Sequence, residues 1–152
     1  MAAKHIRVRV AAVILNKKNE MLLVNHVKNG RSYWLFPGGG VEYGESLSEA
    51  IRRELSEELS IKKATVGKLI FVNDTVYPGK KRHILNLYFR VFVRDKNGLT
   101  VNPEGPLKSA AYVNMKEFSK LLFYPSIKND IIKWWKKGFL ECRGYLNVKW
   151  KK

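Results

Sequence analysis

The chain has 152 residues, 45% of them hydrophobic, and carries 29 Lys and Arg against 13 Asp and Glu, a formal net charge of +16. The length predicts one domain over residues 1–152, and the charge favours anionic partners such as nucleotides or nucleic acid, although a solvated basic surface has the same composition. No apolar run reaches the roughly 20 residues of a membrane span, and the lone Cys142 excludes an internal disulfide, so we expect a cytoplasmic protein.

Hydrophobic patterning predicts the elements of the first half of the chain. Residues 6–16 alternate and then become continuously apolar, as in a buried central strand, and residues 21–27 form its hairpin partner. A turn at 28–32 leads to the glycine loop Gly38–Gly40. A helix then starts at Ser46, with Glu49 as capping-box partner, and runs to about residue 59.

The second half is predicted to add strands and two late helices. Residues 64–77 are extended, 78–81 form a turn, 83–94 form a long strand, and 95–98 form another turn. A short strand at 110–115, helices at 116–122 and 127–137, and a last strand at 145–150 follow, with Ser126 capping the last helix and Gly138 ending it. This order predicts the α/β (α+β) class, with a mixed β-sheet sandwiched between helices.

Three carboxylates share one side of the first helix. Glu54, Glu57 and Glu58 lie at i, i+3 and i+4, where like charges repel by a few tenths of a kcal/mol per pair. At about 100° per residue, Glu54 and Glu58 fall within or beside the apolar stripe, and Glu57 lies at its edge. Inward carboxylates are costly unless they are paired or bind a metal. The alternatives are therefore a metal site and internal salt bridges with Arg52 or Arg53.

Clustered carboxylate oxygens suit a hard cation, Mg²⁺ or Mn²⁺. One Cys and three His do not favour zinc. Magnesium held by carboxylates keeps positions open for substrate phosphates, and glycines let the backbone approach those phosphates closely. The loop and the acidic helix together predict a site for a phosphorylated substrate.

The spacing of these residues resembles a known motif. Gly39, five residues, Glu45, seven residues and then Arg53-Glu54-Leu55-Ser56-Glu57-Glu58-Leu59-Ser60-Ile61 resembles the Nudix box. Ser60 departs from the pattern, which has a glycine where the helix ends in a left-handed conformation. The order of the flanking elements is also similar to the Nudix fold, so the resemblance extends over almost the whole chain.

The resemblance implies hydrolysis of a diphosphate linkage in a nucleoside diphosphate joined to another group. It implies that Glu54, Glu57, Glu58 and the Gly39 carbonyl hold the divalent metal. Arg53 would pair with a box glutamate and orient it, and Glu45 would help to hold the loop against the helix. We expect Glu45 and the three glycines, Gly38, Gly39 and Gly40, to lie at the phosphates of the substrate.

The general base stays open. Members of the family use a box glutamate or an acidic residue on a later loop. Glu54 and Glu58 are the candidates in the box, and Glu104 is the candidate outside it, with an ordinary loop residue as the alternative.

The choice of substrate also stays open. Tyr77 and Pro78 are adjacent and follow the box. The resemblance links a proline at about this distance after the box to ADP-ribose-type enzymes and a tyrosine at a similar distance to dinucleoside polyphosphate enzymes, so the two residues point to different substrates. Lys81 and Arg82 belong to a basic cluster suited to phosphates or an RNA 5′ end, or to a solvated hairpin tip. The aromatic residues near the loop either pack in the fold or stack on a base, and they are Tyr33, Trp34 and Tyr43.

We therefore expect an enzyme that cleaves a small nucleoside diphosphate derivative, with ADP-ribose or a nucleotide sugar first. A dinucleoside polyphosphate or RNA 5′-end pyrophosphohydrolase comes second, and a nucleoside triphosphate pyrophosphatase third. The non-enzyme alternative is a nucleotide- or RNA-binding module without turnover. A homodimer is expected from the resemblance alone.

Overall fold

The computed structural model describes residues 4–94 and 98–149. Its elements in chain order are β1 (Arg7–Val13), β2 (Met21–Lys28), β3 (Arg31–Leu35), β4 (Gly38–Gly40), α1 (Leu47–Leu59), β5 (Ala64–Val76), a 3-10 turn (Pro78–Lys80), β6 (His83–Val93), β7 (Leu107–Val113), α2 (Met115–Lys120) and α3 (Lys128–Lys136). The predicted turn at 95–98 falls mainly on residues 95–97, which lie outside the described residues.

The described strands form two sheets. A four-stranded sheet has the order β4-β1-β6-β5, and a three-stranded sheet has the order β3-β2-β7. The pairing of β1 with β6 is parallel, whereas β4 and β5 pair antiparallel with β1 and β6 respectively. The four-stranded sheet is thus mixed, as predicted, and β1 lies inside it.

Alternate residues of β1 reach two separate hydrophobic cores. Val10, Ala12 and Ile14 pack with the apolar face of α1. Ala11 and Val13 pack in the other core, which contains side chains of α2 and α3. Helices therefore cover both faces of the strands, and the predicted α/β/α sandwich is confirmed.

The predicted turn at 28–32 contains the start of a strand that sequence patterning missed. Asn29 and Gly30 both have positive φ, 51° and 73°, which is the backbone of a tight hairpin turn. The chain returns at once, and β3 pairs antiparallel with β2. The alternation in β3 is weak because its residues are exposed or only half-buried, so periodicity gave little signal there.

Several predicted boundaries shift. β1 ends at Val13 because the side chain of Asn16 accepts hydrogen bonds from the amides of Lys18 and Glu20 and closes a turn. β7 begins three residues before the predicted position, at Leu107, and α2 begins one residue early because Asn114 caps it.

The end of the chain differs most from the prediction. Ser126 does not cap α3, since the N-cap is Ile127, whose side chain makes no capping hydrogen bond. Gly138 follows the helix with a φ of 68°, as predicted. The predicted strand at 145–150 is reduced to one bridge between Tyr145 and Val72, and Trp150 lies outside the described residues. Among the described helices, none has the length and apolar character needed to cross a membrane.

Candidate active site

The capping box predicted at Ser46 fixes the start of α1. The Ser46 hydroxyl accepts from the Glu49 amide, and the Glu49 carboxylate accepts from the Ser46 amide, at 3.2 and 2.7 Å. Ala50, Ile51, Leu55 and Leu59 are buried along one side of the helix. This face sets the rotation of α1, so that Glu54 and Glu58 are directed toward β4 while half of the Glu57 side chain stays exposed.

The glycine loop leaves no room for side chains. A Cβ added to Gly38, whose φ is +145°, would lie 2.1 Å from the Val10 carbonyl oxygen. A Cβ added to Gly39 would lie 2.2 Å from Oε1 of Glu54. The two glycines therefore allow β4 to pack on β1 and the Glu54 carboxylate to contact the loop backbone.

Glu58 lies under the same loop. Its Oε2 accepts a hydrogen bond of 3.1 Å from the Gly38 amide. Burial raises the pKa of Glu58 to about 7, against the opposing effects of the Arg9 charge and the Gly38 amide. Arg9 is fixed nearby by hydrogen bonds to the carbonyl oxygens of Phe36 and Gly38, at 3.1 and 3.4 Å.

Arg53 joins the acidic residues and the loop. Its Nε and Nη2 donate to the two carboxylate oxygens of Glu45, at 3.1 and 2.7 Å. Its Nη1 donates to Glu54 Oε1 at 2.9 Å and to Glu57 Oε2 at 3.2 Å, and its Nη2 also donates to the Gly40 carbonyl at 2.9 Å. Part of the repulsion between the glutamates is thus offset by Arg53, whereas Arg52 donates to the Ala64 carbonyl instead.

The helix ends at Ser60 in the left-handed conformation that the motif reserves for glycine. Its φ is 55° and its ψ is 23°, and its amide donates to the carbonyls of Leu55 and Ser56. Asn102 compensates, because its side-chain amide donates to the Ser60 hydroxyl at 3.0 Å and to the Glu57 carbonyl at 2.7 Å. Serine therefore keeps the usual helix exit with the help of a second loop.

The donors beside the loop fit Mg²⁺ or Mn²⁺ in chemistry. Glu54, Glu57 and Glu58 supply carboxylate oxygens, and Gly39, against which the Glu54 carboxylate packs, supplies a carbonyl. All are hard oxygen donors. In the part of the chain described, no three acidic, His or Cys side chains converge as a preformed metal cluster. The donor set is present, with Arg53 holding two of its carboxylates.

A pocket of about 890 Å³ opens at Gly38 and Gly39. Its wall includes six cationic side chains, from Arg7, Arg9, Lys28, Arg31, Arg82 and Lys149. It includes four tyrosines, Tyr33, Tyr77, Tyr88 and Tyr124, and no Asp or Glu among the described residues that line it. The pocket therefore suits an anionic ligand with an aromatic or apolar part.

The substrate-binding residues predicted from the sequence lie in the pocket, in the hydrophobic core or on the surface. Tyr77 and Arg82 line the pocket, and the guanidinium of Arg82 lies 5.3 Å from the centre of the Tyr77 ring. The pocket lining within the described chain does not include Lys81, which is exposed. Tyr33 lines the pocket, Trp34 packs against the hydrophobic core, and Tyr43 is exposed.

Glu104 lies on the loop that contacts the end of α1. Its side chain is exposed, and the anchor of this loop is Asn102, whose amide also donates to the Glu58 carbonyl at 2.9 Å. The loop is therefore tied to the last turn of the acidic helix, two residues from Glu104.

Sequence reasoning missed the pocket residues of β1 and β2. Arg7 and Arg9 alternate with apolar residues and so had a strand signal, but the face they occupy depends on the pairing of β1 with β6. His26 lies in the same wall, with its ring in edge contact with Tyr33. A charged residue at every second position of an otherwise buried strand was the available signal.

Comparison with known proteins identifies the family. The NUDIX domain model matches residues 5–135. Since this covers most of the chain and includes the loop and acidic helix described above, the protein belongs to the Nudix family.

Two curated relatives align with very different shares of this chain. An ADP-ribose pyrophosphatase from Methanocaldococcus jannaschii is 28% identical over 123 residues, 80% of this chain and 70% of the relative. An RNA pyrophosphohydrolase from Orientia tsutsugamushi (strain Boryong) is 38% identical over 60 residues, 40% of this chain and 37% of the relative. The chain thus matches less than half of the length of that RNA pyrophosphohydrolase.

Solved structures support the fold. A Nudix hydrolase from Nitrosomonas europaea superposes with a TM-score of 0.73 at 21% identity, covering 88% of this chain and 90% of that one. A UDP-X diphosphatase superposes with a TM-score of 0.71 at 20% identity, covering 96% and 70%. At these identities the likeness concerns the fold alone.

Proposed function

We propose that the protein hydrolyses a diphosphate linkage in a nucleoside diphosphate derivative, using Mg²⁺ or Mn²⁺, with ADP-ribose or a nucleotide sugar as the first candidate. The observation that carries the proposal is the junction of the box carboxylates with the cationic pocket. Glu54 and Glu58 contact Gly39 and Gly38, and both glycines also line the pocket. A diphosphate bound there would lie beside the acidic helix.

Glu54, Glu57, Glu58 and the Gly39 carbonyl are the residues that would hold the metal. When bound, the ion neutralises the diphosphate and stabilises charge that develops on the transferred phosphoryl group. Arg53 orients the carboxylates, because it fixes Glu45, Glu54 and Glu57 at once. Its fork of donors also ties them to the Gly40 carbonyl, so the loop and the helix keep one relative position.

Three carboxylates are candidates for the general base that takes the proton from the attacking water. Arg53 holds Glu54 through Oε1, which leaves Oε2 for another partner. Glu58 is directed at the Gly38 end of the pocket. Glu104 belongs to the loop that Asn102 ties to α1, and we propose it as an acidic contributor from outside the box.

The pocket supplies the recognition of the nucleotide. The rings of Tyr33 and Tyr124 meet edge to face with their centres 5.6 Å apart, and Tyr77 lies in the same wall. These rings offer a surface for a base. Arg7, Arg9 and Arg82 would bind phosphate oxygens, as guanidinium groups do with two parallel hydrogen bonds. A relative that aligns with 80% of this chain is named an ADP-ribose pyrophosphatase, which supports the first candidate.

A specific observation favours a second candidate, an RNA 5′ end or a dinucleoside polyphosphate. The pocket wall has six cationic side chains and, in its described part, no carboxylate. That balance exceeds what two phosphates need and suits a longer polyanion. The RNA pyrophosphohydrolase relative aligns over 60 residues, which is weaker support because 63% of that relative is not covered.

The test is a substrate panel with identified products. ADP-ribose, a UDP-sugar, diadenosine tetraphosphate, a 5′-triphosphorylated RNA and dGTP are incubated with Mg²⁺, and the products are separated by chromatography. We expect ADP-ribose or the UDP-sugar to give a nucleoside monophosphate with the highest kcat/KM. Preference for the RNA or the tetraphosphate would select the second candidate. No turnover of any compound, with tight and salt-sensitive RNA binding, would replace the enzyme by a binding module.

A further inference from the structure

A segment after α3 lies beside β5, on the edge that does not pair with β6. We call residues 140–149 the C-terminal segment. The Val72 amide donates to the Gly144 carbonyl at 2.9 Å, and the Leu146 amide donates to the Val72 carbonyl at 2.8 Å. A parallel bridge between Val72 and Tyr145 completes this short pairing. The Arg143 amide also donates to the Ile70 carbonyl, so the C-terminal segment is fixed to β5 at Ile70 and Val72, just before Asp74.

One carboxylate binds this segment and the tip of the β5–β6 hairpin together. The Tyr145 hydroxyl donates to Oδ1 of Asp74 at 2.6 Å, and Nε2 of His83 lies 2.8 Å from Oδ2. Hydrogen bonds from Tyr145 and then from His83 lower the pKa of Asp74. Both oxygens of Asp74 are thus used, each by a different part of the chain.

The two parts joined by Asp74 each supply a cation to the pocket. His83 directly follows Arg82, and Tyr145 precedes Lys149 by four residues. Arg82 and Lys149 both line the pocket, together with Val148. None of the three residues of the bridge, Asp74, Tyr145 and His83, lines the pocket within the described chain. Any effect of these three residues on the pocket must therefore act through neighbouring residues such as Arg82 and Lys149.

We propose that Lys149 binds an anionic group of the substrate and that Asp74 is the positioning residue that holds Lys149 and Arg82 in the same wall. This inference rests on the proposed function in requiring a phosphorylated substrate. Lys149 is exposed. The hydrogen bond from Tyr145 to Asp74 adds a side-chain anchor to the backbone hydrogen bonds between the segment and β5, so it helps to fix the course of the segment toward Lys149.

The kinetic test compares Asp74→Ala, Tyr145→Phe and Lys149→Met with the control Lys68→Met. Lys68 is an exposed lysine of β5 outside the pocket lining. We expect Tyr145→Phe and Lys149→Met to raise KM about tenfold, because one charged contact is lost, and Asp74→Ala to raise it at least about tenfold, with kcat within about twofold in all three. Lys149→Arg restores KM, and Lys68→Met leaves it unchanged. An unchanged KM in Lys149→Met overturns the proposal.

The double variant Asp74→Ala/Lys149→Met separates positioning from mere stability. If Asp74 acts through Lys149, the double variant has the same KM as Asp74→Ala alone. Multiplied effects would contradict the positioning role. If Asp74→Ala fails to fold, Tyr145→Phe carries the same comparison, because it removes one hydroxyl.

A binding measurement keeps this inference distinct from the proposed reaction. Titration calorimetry with ADP in EDTA reports affinity without turnover. Weaker ADP binding by Lys149→Met and Tyr145→Phe, with no change in Lys68→Met, supports the inference even if no diphosphate is hydrolysed. Equal ADP affinity in all variants overturns it even if the enzyme is active.

Discussion

Arg53 and Glu45 are joined by two parallel hydrogen bonds, Nε to Oε2 at 3.1 Å and Nη2 to Oε1 at 2.7 Å. The same guanidinium reaches Glu54, Glu57 and the Gly40 carbonyl. A loop residue and two helix carboxylates thus share one planar group of donors. Lysine carries the charge but cannot reproduce this fork.

Arg53→Lys therefore tests the orientation of the carboxylates. We expect kcat to fall about 10- to 100-fold, as for other changes in residues that orient metal ligands. Steady-state kinetics on the best substrate of the panel measures it. Arg52→Lys is the matched control, because Arg52 donates to the Ala64 carbonyl, and it should keep its rate. Full activity of Arg53→Lys would remove Arg53 from the orienting role.

Gly38→Ala tests the close approach of the loop to β1. The new Cβ would meet the Val10 carbonyl oxygen at 2.1 Å, so β4 must move. We expect a loss of at least about 3 kcal/mol in the free energy of unfolding. Gly30→Ala is the control, because φ is +73° there but nothing lies within 4 Å of the added Cβ. It should cost only about 1 to 2 kcal/mol. If urea unfolding gave equal losses of free energy for Gly38→Ala and Gly30→Ala, the close contact between Gly38 and Val10 would have no role in stability.

Ser60→Gly and Asn102→Ala form a double-mutant cycle at the end of α1. Glycine relieves a left-handed residue by about 1 kcal/mol but loses the Ser60–Asn102 hydrogen bond, worth about the same. Ser60→Gly should therefore be nearly neutral in the wild type and stabilising by about 1 kcal/mol in Asn102→Ala. Identical effects in both backgrounds, measured by urea unfolding, would mean that Asn102 does not compensate for the serine.

The sequence predicted the features that depend on neighbouring residues and not those that depend on contacts between distant parts of the chain. The direction of Glu54 and Glu58 followed from helix periodicity and the apolar face of α1, and the structure places both beside the loop. The start at Ser46 followed from capping chemistry. Arg7 and Arg9 could not be assigned to a pocket, because their position depends on a parallel pairing of β1 with β6, more than 70 residues away in the chain.

The contacts of the C-terminal segment also could not be predicted from local sequence patterns. A strand was predicted at 145–150, but one bridge forms, and the contact that matters is the hydrogen bond from Tyr145 to Asp74. Such a side-chain contact between distant residues leaves no periodicity. Likewise, nothing near Ser60 in sequence indicated that Asn102 would bind it.

The pH dependence of stability should report on His26. Burial and then the Arg9 charge lower the pKa of His26, and its Nε2 is buried with no hydrogen-bond partner among the described residues. The unfolded chain, with a histidine pKa of about 6.5, then binds more protons than the folded protein as the pH falls below that value. We expect the wild type to lose stability relative to His26→Gln below about pH 6.5.

Urea unfolding of both proteins from pH 8 to pH 5 measures this difference. Between pH 7.5 and 8 the histidine is neutral in both states, so the difference should be constant there and serves as the internal control. A difference that stays constant down to pH 5, or that grows in favour of the wild type, would contradict a buried neutral His26.

The central claim is that the box carboxylates and a divalent ion cleave a diphosphate, and its most direct test is the turnover of the wild type and Glu57→Gln with and without Mg²⁺. Wild-type turnover should vanish in EDTA and return with Mg²⁺. Glu57→Gln should lose orders of magnitude in kcat with unchanged urea unfolding, since half of its side chain is exposed. The control Glu42→Gln, which changes an exposed residue before α1, should keep its rate. Full activity of the wild type in EDTA, or of Glu57→Gln in Mg²⁺, would contradict the claim.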